Sequence, residues 1–345
     1  MTISAMDLDV KAAAMVQGLL DRKTKPTGSL GRLEELAVRL AAITGRTDGA
    51  FPMKAVLIAV GDHGIARKGV SLYPPEVTPQ MVLNFLSGGA AINVLARQAG
   101  ARVVVADAGV NTEGFPDHPS LLKLSLGRGT ADFSQGPAMS RQDAELCVRR
   151  GREAVAALAG HGLDLLAIGE MGIGNTTPSA ALCACLLELE PEVVTGRGTG
   201  LDAAAWQRKV DVVRAALELN APDKDDAMDC LAKVGGFEIG LLAGAILEAA
   251  ERRIPVVLDG FITGAAALLA WKLEPKSAAF MIASHQSQEL GHRHLLERLG
   301  LRPYLNLDLR LGEGSGAALF LPLVDAAGAI LKEMATFESA GVTDK

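Results

Sequence analysis

Ten residues from Gly169 to Pro178, Gly-Glu-Met-Gly-Ile-Gly-Asn-Thr-Thr-Pro, combine the features of a site for an anion. Glycines let a backbone approach a ligand closely. The amides that follow them, at what reads as a helix N-terminus, supply donors and partial positive charge for a phosphate. Thr176 and Thr177 add hydroxyl donors, and Pro178 suits a first helical turn. The same residues would serve as an ordinary strand-to-helix turn with a Thr N-cap, but Asn-Thr-Thr behind the glycines favours the anion site. This is not a Walker loop, since no Gly-Lys-Ser/Thr follows. It is also a poor dinucleotide fingerprint: the glycine order is G-x-x-G-x-G, and the downstream acids Glu188 and Glu190 end the helix rather than a second strand. A second cluster, Gly196-Arg197-Gly198-Thr199-Gly200, precedes another helical stretch. Taken alone it reads as a loop; with Lys209 it could complete an anion cradle.

Leu311-Gly312-Glu313-Gly314-Ser315-Gly316 sets a carboxylate between glycines, where no side chain would crowd a ligand. At a helix N-terminus in water the dipole would lower the pKa of Glu313. In an apolar pocket burial would raise it and make a better base. The sequence leaves both environments open. The six histidines, at 63, 118, 161, 285, 292 and 294, give no metal-ligand spacing, because His292 and His294 lie two apart in a helical pattern. The acids Asp62, Asp107 and Asp259 read equally well as caps or turn residues. Cys147, Cys183, Cys185 and Cys230 form no ligand pattern and suggest reduced thiols.

These residues need elements to position them. Short apolar runs at Ala55–Val60, Val103–Ala108, Leu163–Ile168, Val256–Leu258 and Ala278–Ala283 read as strands, with a sixth candidate at Tyr304–Leu307. Between them lie helical patterns at Pro79–Ala99, Arg141–Leu158, Pro178–Leu189, Ala203–Leu219, Phe237–Arg252 and His285–Leu299. Continuous apolar strands separated by helices imply a parallel sheet covered on both faces. Leu8–Leu20, Leu30–Ile43 and Gly316–Lys332 are helical patterns without strands between them, and Phe337–Lys345 reads as a frayed tail. The expected fold class is α/β: a parallel Rossmann-like sheet flanked by helices, with a smaller helical subdomain built from the N- and C-terminal segments. Residues 1–50 would begin that subdomain, 51–310 would form the α/β core, and 311–345 would close the subdomain. Ligands of such a sheet bind beyond the carboxyl ends of the strands. Polar residues and glycines stand there: Gly61-Asp62-His63-Gly64, Asp107-Ala108-Gly109, Gly169–Gly172, Asp259-Gly260 and Ser284-His285.

Over 345 residues the chain is 49% hydrophobic and 21% charged, enough to bury a sizeable core. A formal net charge of −6 argues against a non-specific nucleic-acid or anionic-membrane binder. Charged or turn-forming residues cut every apolar run short of the roughly 20 residues a membrane span needs, and no secretory leader is evident at Met1. A soluble, cytoplasmic protein is expected.

Taken in order, the pieces resemble the nicotinate-nucleotide–dimethylbenzimidazole phosphoribosyltransferases, the family that makes the lower-ligand nucleotide of cobalamin. The likeness runs through almost the whole chain. It takes in Thr24-Lys25-Pro26-Thr27-Gly28-Ser29-Leu30-Gly31-Arg32-Leu33-Glu34, Gly61–Gly64, Gly69-Val70-Ser71 and Gly169–Thr177. It continues with Gly198–Gly200, Gly236-Phe237-Glu238, Asp259-Gly260-Phe261, Ser284-His285 and Leu311–Gly316. The resemblance implies a reaction of nicotinate mononucleotide with 5,6-dimethylbenzimidazole that yields α-ribazole 5′-phosphate and nicotinate. It makes Glu313 the general base and Glu170 a second active-site carboxylate that steadies positive charge on the ribose or helps hold the base. Phosphate and nucleotide contacts would come from Met171, Gly172, Ile173, Gly174, Asn175, Thr176, Thr177, Gly198, Thr199, Gly200 and Lys209, with Asp259 and Ser284. Tyr73, Met81 and Leu311 map near the benzimidazole pocket. The resemblance also implies a homodimer, with no nucleic acid and no membrane among the partners. Because the donor already carries a pyridinium leaving group, no metal or other cofactor is expected. Leu258-Asp259-Gly260 also lacks the adjacent acidic pair that holds Mg²⁺ in pyrophosphate-using phosphoribosyltransferases. Two alternatives compete: a Rossmann-type NAD-dependent enzyme and a non-catalytic nucleotide-binding protein.

Overall fold

Apart from Lys54, the segment Lys54–Gly61 has no polar side chain, so it can bury both faces only inside a sheet. It forms β1, buried along its whole length. In the computed structural model, which describes residues 7–198 and 200–343, five more strands join it. They are β2 (Ala101–Gly109), β3 (Leu121–Lys123), β4 (Leu165–Met171), β5 (Val256–Leu258) and β6 (Met281–Ala283). All pairings are parallel, in the order β3-β2-β1-β4-β5-β6. The chain runs outward from β1 to β2 and β3, then returns to β4 on the other side. The connections therefore diverge between β1 and β4, and that divergence opens a crevice at their carboxyl ends.

The helices are α1 (Val10–Asp21), α2 (Arg32–Thr44), α3 (Val77–Leu86), α4 (Ala91–Gln98), α5 (Arg141–Gly160), α6 (Thr176–Leu187) and α7 (Pro191–Val194). They continue as α8 (Ala203–Asn220), α9 (Ala227–Val234), α10 (Phe237–Glu251), α11 (Phe261–Leu273), α12 (Leu290–Arg298), α13 (Ser315–Glu333) and α14 (Phe337–Ala340). Alternation along β1 sorts them into two layers. Leu57 and Ala59 belong to a core with α5, α6, α9, α10 and α11. Val56, Ile58 and Val60 belong to another with α1, α2, α4 and α13. The terminal helices pack on one another, and their apolar faces run without a break into this second core. By length and composition α13 could cross a bilayer, yet half of its most apolar stretch is buried inside the fold.

The structure departs from the sequence reading in six places. Tyr304–Leu307 is no strand: only Leu305 makes a bridge, to His285, and the amides of Tyr304 and Leu305 both reach Ser284 O. The sixth strand is β3, three residues at the sheet edge and too short for an apolar pattern. Only the end of Ala278–Ala283 is extended, because Pro275 starts a 3₁₀ turn that runs to Phe280. The stretch Pro79–Ala99 divides into α3 and α4 at Gly88, whose φ of +77° an α-helix cannot hold. Residues 285–289 form a loop, with α12 starting only at Leu290. At the C-terminus α14 replaces an expected frayed tail, capped by Thr336 and tied back by the Phe337 amide to Arg22 O.

Candidate active site

The crevice is built on close backbone approaches that only glycine permits. A Cβ on Gly172 would stand 2.2 Å from Gly61 O, so β1 and the loop after β4 touch main chain to main chain. A Cβ on Gly169 would meet Gly314 N at 2.4 Å and Glu313 C at 2.5 Å, which seats the Leu311–Gly316 loop directly on β4. Gly312, Glu313 and Gly314 have φ of +84°, +64° and +84°, three left-handed residues in succession. For a glutamate that conformation is strained and persists only where surrounding contacts impose it.

Asp259, at the end of β5, supplies those contacts. Its carboxylate accepts N–H bonds from Gly314 (3.1 Å), Gly316 (2.7 Å) and Ala317 (3.0 Å). Gly314, the N-cap of α13, has no side chain to satisfy these amides, so a carboxylate from another strand caps the helix. Asp107 and Asp62 act in the same way, accepting from Gly109 and Val110 and from Asn111 respectively. Each of these three acids, at or just past the carboxyl end of a strand, holds a loop.

Two further carboxyl groups are buried here. Glu170 accepts from the side-chain amide of Asn175. Burial pushes its pKa up to about 8, the Asn175 amide opposes the shift, and the nearby charges of Asp259, Glu238 and Glu313 add to it. A Cβ on Gly312 would lie 2.5 Å from Glu170 Oε1, so this glycine is what lets the two acidic loops meet. Glu313 follows directly. It is 6% exposed, and its Oε2 has no partner. Burial raises its pKa, and the Ile92 amide at the start of α4 opposes that shift. Of the two environments open at the sequence level, the structure selects the buried one.

Behind the lining residue Thr176, Lys209, fully buried on α8, donates from Nζ to Thr176 Oγ1 at 2.7 Å. Gly198 lies against both groups: its Cβ would be 3.3 Å from Thr176 Oγ1 and 3.5 Å from Lys209 Nζ. Burial pushes the Lys209 pKa down to about 8, and the charge of Glu289 opposes the shift. The two glycine clusters and the lysine thus converge, as an anion cradle requires.

Known proteins resemble this chain along nearly its whole length. A family model described as phosphoribosyltransferase matches residues 5–342. The nicotinate-nucleotide–dimethylbenzimidazole phosphoribosyltransferase of Chloroflexus aurantiacus is 54% identical over 338 residues, 98% of this chain and 96% of the relative. That of Geobacter sulfurreducens is 51% identical over 337 residues, again 98% and 96%. The crystal structure of the enzyme so named from Thermus thermophilus aligns with a TM-score of 0.92 at 49% identity, covering 98% of this chain and 100% of the other. The chain belongs to this family.

Among the residues expected in such a phosphoribosyltransferase site, Glu170, Met171, Gly172, Ile173, Gly174, Asn175, Thr176, Gly198 and Leu311 line one cleft. Thr177, Lys209, Asp259 and Ser284 are buried around it, and Glu313 stands directly behind the lining residue Gly312. Gly200 lines an adjoining cavity with Arg197, Trp206 and Arg310. Thr199 lies outside the described residues. Tyr73 and Met81 are not in the cleft wall: Tyr73 is 55% exposed, and Met81 packs against the core from α3. Several expected anion donors already have partners. The Ile173 amide donates to Thr78 Oγ1, and those of Asn175 and Thr177 close the loop onto Gly172 O and Gly174 O. Ser284 Oγ lies 3.0 Å from Nδ1 of His285, whose pKa burial pushes down to about 4.

Sequence reasoning missed Ser287, Glu289 and Arg310, all of which line the cleft. Glu289 stands one residue before α12 and reads as a solvated acid at a helix start, so no local signal marked it. His63, singled out for following a strand, is buried and bonds through Nε2 to Glu238 Oε1 at 2.8 Å. Among the described residues no three His, Cys, Asp or Glu side chains gather as a metal ion would need.

Proposed function

We propose that this chain transfers the 5-phosphoribosyl group of nicotinate mononucleotide to 5,6-dimethylbenzimidazole, releasing nicotinate and forming α-ribazole 5′-phosphate. The observation that carries the reading is the packing of Gly312, next to the buried Glu313, against the buried Glu170 in a cleft that is also lined by Thr176, the partner of Lys209. The cradle of Thr176, Gly198 and Lys209 takes the donor phosphate. Glu313, with a raised pKa and an unpartnered oxygen, accepts the acceptor's ring N–H proton. The other ring nitrogen bonds to C1′ as the bond from C1′ to nicotinate breaks, and the departing electron pair neutralises the pyridinium. Attack opposite the leaving group inverts C1′ and gives the α-nucleotide.

A carboxyl group with a pKa of about 8 is mainly uncharged at neutral pH, so Glu170 suits hydrogen-bond donation better than charge stabilisation. We take it to hold the ribose or the base in that way. Leu311, at the cleft mouth, contributes to the base side. The free thiols Cys147, Cys183, Cys185 and Cys230 fit a reducing, cytoplasmic setting. We further take the enzyme to act as a homodimer, with residues 1–50 and 311–345 forming one helical unit beside the 51–310 core.

Chromatography of protein incubated with nicotinate mononucleotide and 5,6-dimethylbenzimidazole tests the reaction. Nicotinate and α-ribazole phosphate should appear in equal amounts. Folded protein that releases no nicotinate with any of a panel of benzimidazoles, purines and phenols would overturn the proposal.

A further inference from the structure

One group beside the phosphate cradle has the wrong charge for its surroundings. Glu289 is 9% exposed and immediately precedes α12, yet its carboxylate gives that helix no cap bond. It turns instead into the second glycine cluster. A Cβ on Gly196 would stand 1.8 Å from Glu289 Oε2, so this glycine leaves room for the carboxylate. Burial raises the Glu289 pKa, while the charge of Lys209, an N–H bond from Gly198 and the charge of Arg310 oppose that shift by favouring the ionised form. Oε2 has no hydrogen-bond partner. Glu289, Gly198 and Arg310 line both the substrate cleft and the adjoining cavity, so the carboxylate stands at the partition between them. The cations and the backbone amide that would receive an incoming phosphate therefore already face an anion.

We propose that Glu289 is the resident counter-ion of the cradle: its carboxylate holds the Gly198 amide and balances Lys209 until the donor's phosphate displaces it. The inference rests on the phosphate-binding reading above and adds a competition that sets donor affinity. A carboxylate next to a phosphate is repelled, more strongly in a buried setting than in water. The donor thus gains the cation and the amide only by displacing Glu289. Gln at this position keeps the shape and the contact with Gly198 but removes the charge.

The test measures the affinity of inorganic phosphate, and separately of nicotinate mononucleotide, by calorimetry at pH 8. The proteins are the wild type, Glu289→Gln and Lys209→Ala. The expected result is a roughly tenfold gain in affinity for both ligands in Glu289→Gln, a lower KM for the donor at little changed kcat, and loss of phosphate binding in Lys209→Ala. If Lys209→Ala loses phosphate while Glu289→Gln binds it as the wild type does, or more weakly, the counter-ion role is overturned and the cradle stands. If phosphate binding survives both substitutions unchanged, the cradle itself is misplaced and the inference falls with it.

Discussion

Two glycine-rich loops meet in the crevice, and they are held by different means. The loop after β4 is fixed mainly by its own segment: a strand leads in, a helix leads out, and the Asn175 and Thr177 amides close it from within, with Thr78 of α3 taking the Ile173 amide. The Leu311–Gly316 loop is fixed from outside. Three successive left-handed residues are held there by Asp259 from β5, by the flat surface of Gly169 on β4 and by an opening at Gly312 that admits Glu170. A self-closing loop tolerates changes elsewhere in the fold. A loop pinned at a distance makes the position of its reactive residue depend on groups far away in sequence. The anion-binding side is built the first way and Glu313 is held the second way.

The largest expected effect removes the group that the pinned loop presents. Glu313→Gln should lower turnover by about 10²–10⁴-fold, the usual contribution of a general base. Donor binding, which uses the self-closing loop, should stay within a few-fold of wild type by calorimetry. Near-normal turnover would take the proton-accepting role away from Glu313. A smaller effect should follow from changing only the pin. Asp259→Asn keeps the size but replaces one amide-accepting oxygen with a donor, so it should displace Glu313 slightly. A displacement on the order of 1 Å can cost about 10²-fold in turnover. Steady-state kinetics should show this in kcat, with KM for nicotinate mononucleotide nearly unchanged. A change confined to KM would mean that Asp259 binds the donor directly.

The same contrast explains what could be read from the sequence. The strand-to-helix loop at residues 169–178 was legible because its parts are contiguous: glycines, hydroxyls and a helix start in one segment. The sheet was legible because β1, β2 and β4 bury long apolar runs, whereas the three-residue β3 sits at the edge without one. Glu313 was visible between its glycines, but its burial was not, since the Ile92 amide and Asp259 come from other parts of the chain. Glu289 was hidden for a related reason. Its partners, Gly196 and Gly198, lie about ninety residues earlier and look like a plain loop. The resemblance supplied Glu170 as a carboxylate, while its raised pKa follows from burial that only the fold creates.

Glu170 lies where the two loops meet, and pH separates its role from that of Glu313. If a neutral Glu170 donates a hydrogen bond, kcat/KM should fall as pH rises through about 8, and Glu170→Gln should remove that alkaline limb while keeping much of the activity. A limb that persists in the variant belongs to another group, with Lys209, also near 8, the first to examine.

The smallest effect concerns stability, and its sign is fixed by linkage. The carboxyl of Glu170 titrates near 4.5 as an ordinary side chain and near 8 in the folded protein, so the folded state holds its proton more tightly. Its contribution is complete below about 4.5 and is lost as pH rises towards 8 and beyond. Gln carries no titrating proton. Thermal melts should therefore show Glu170→Gln gaining on the wild type between pH 5 and pH 9, with most of the gain reached by about pH 8. The buried acids Asp62, Asp107, Asp259, Glu289 and Glu313 are shifted upward too, so the wild-type melt alone would not isolate Glu170; the difference between the two proteins does. A constant difference across that range would mean that Glu170 is ionised in the folded protein, and the hydrogen-bond role would then give way to charge stabilisation at the ribose.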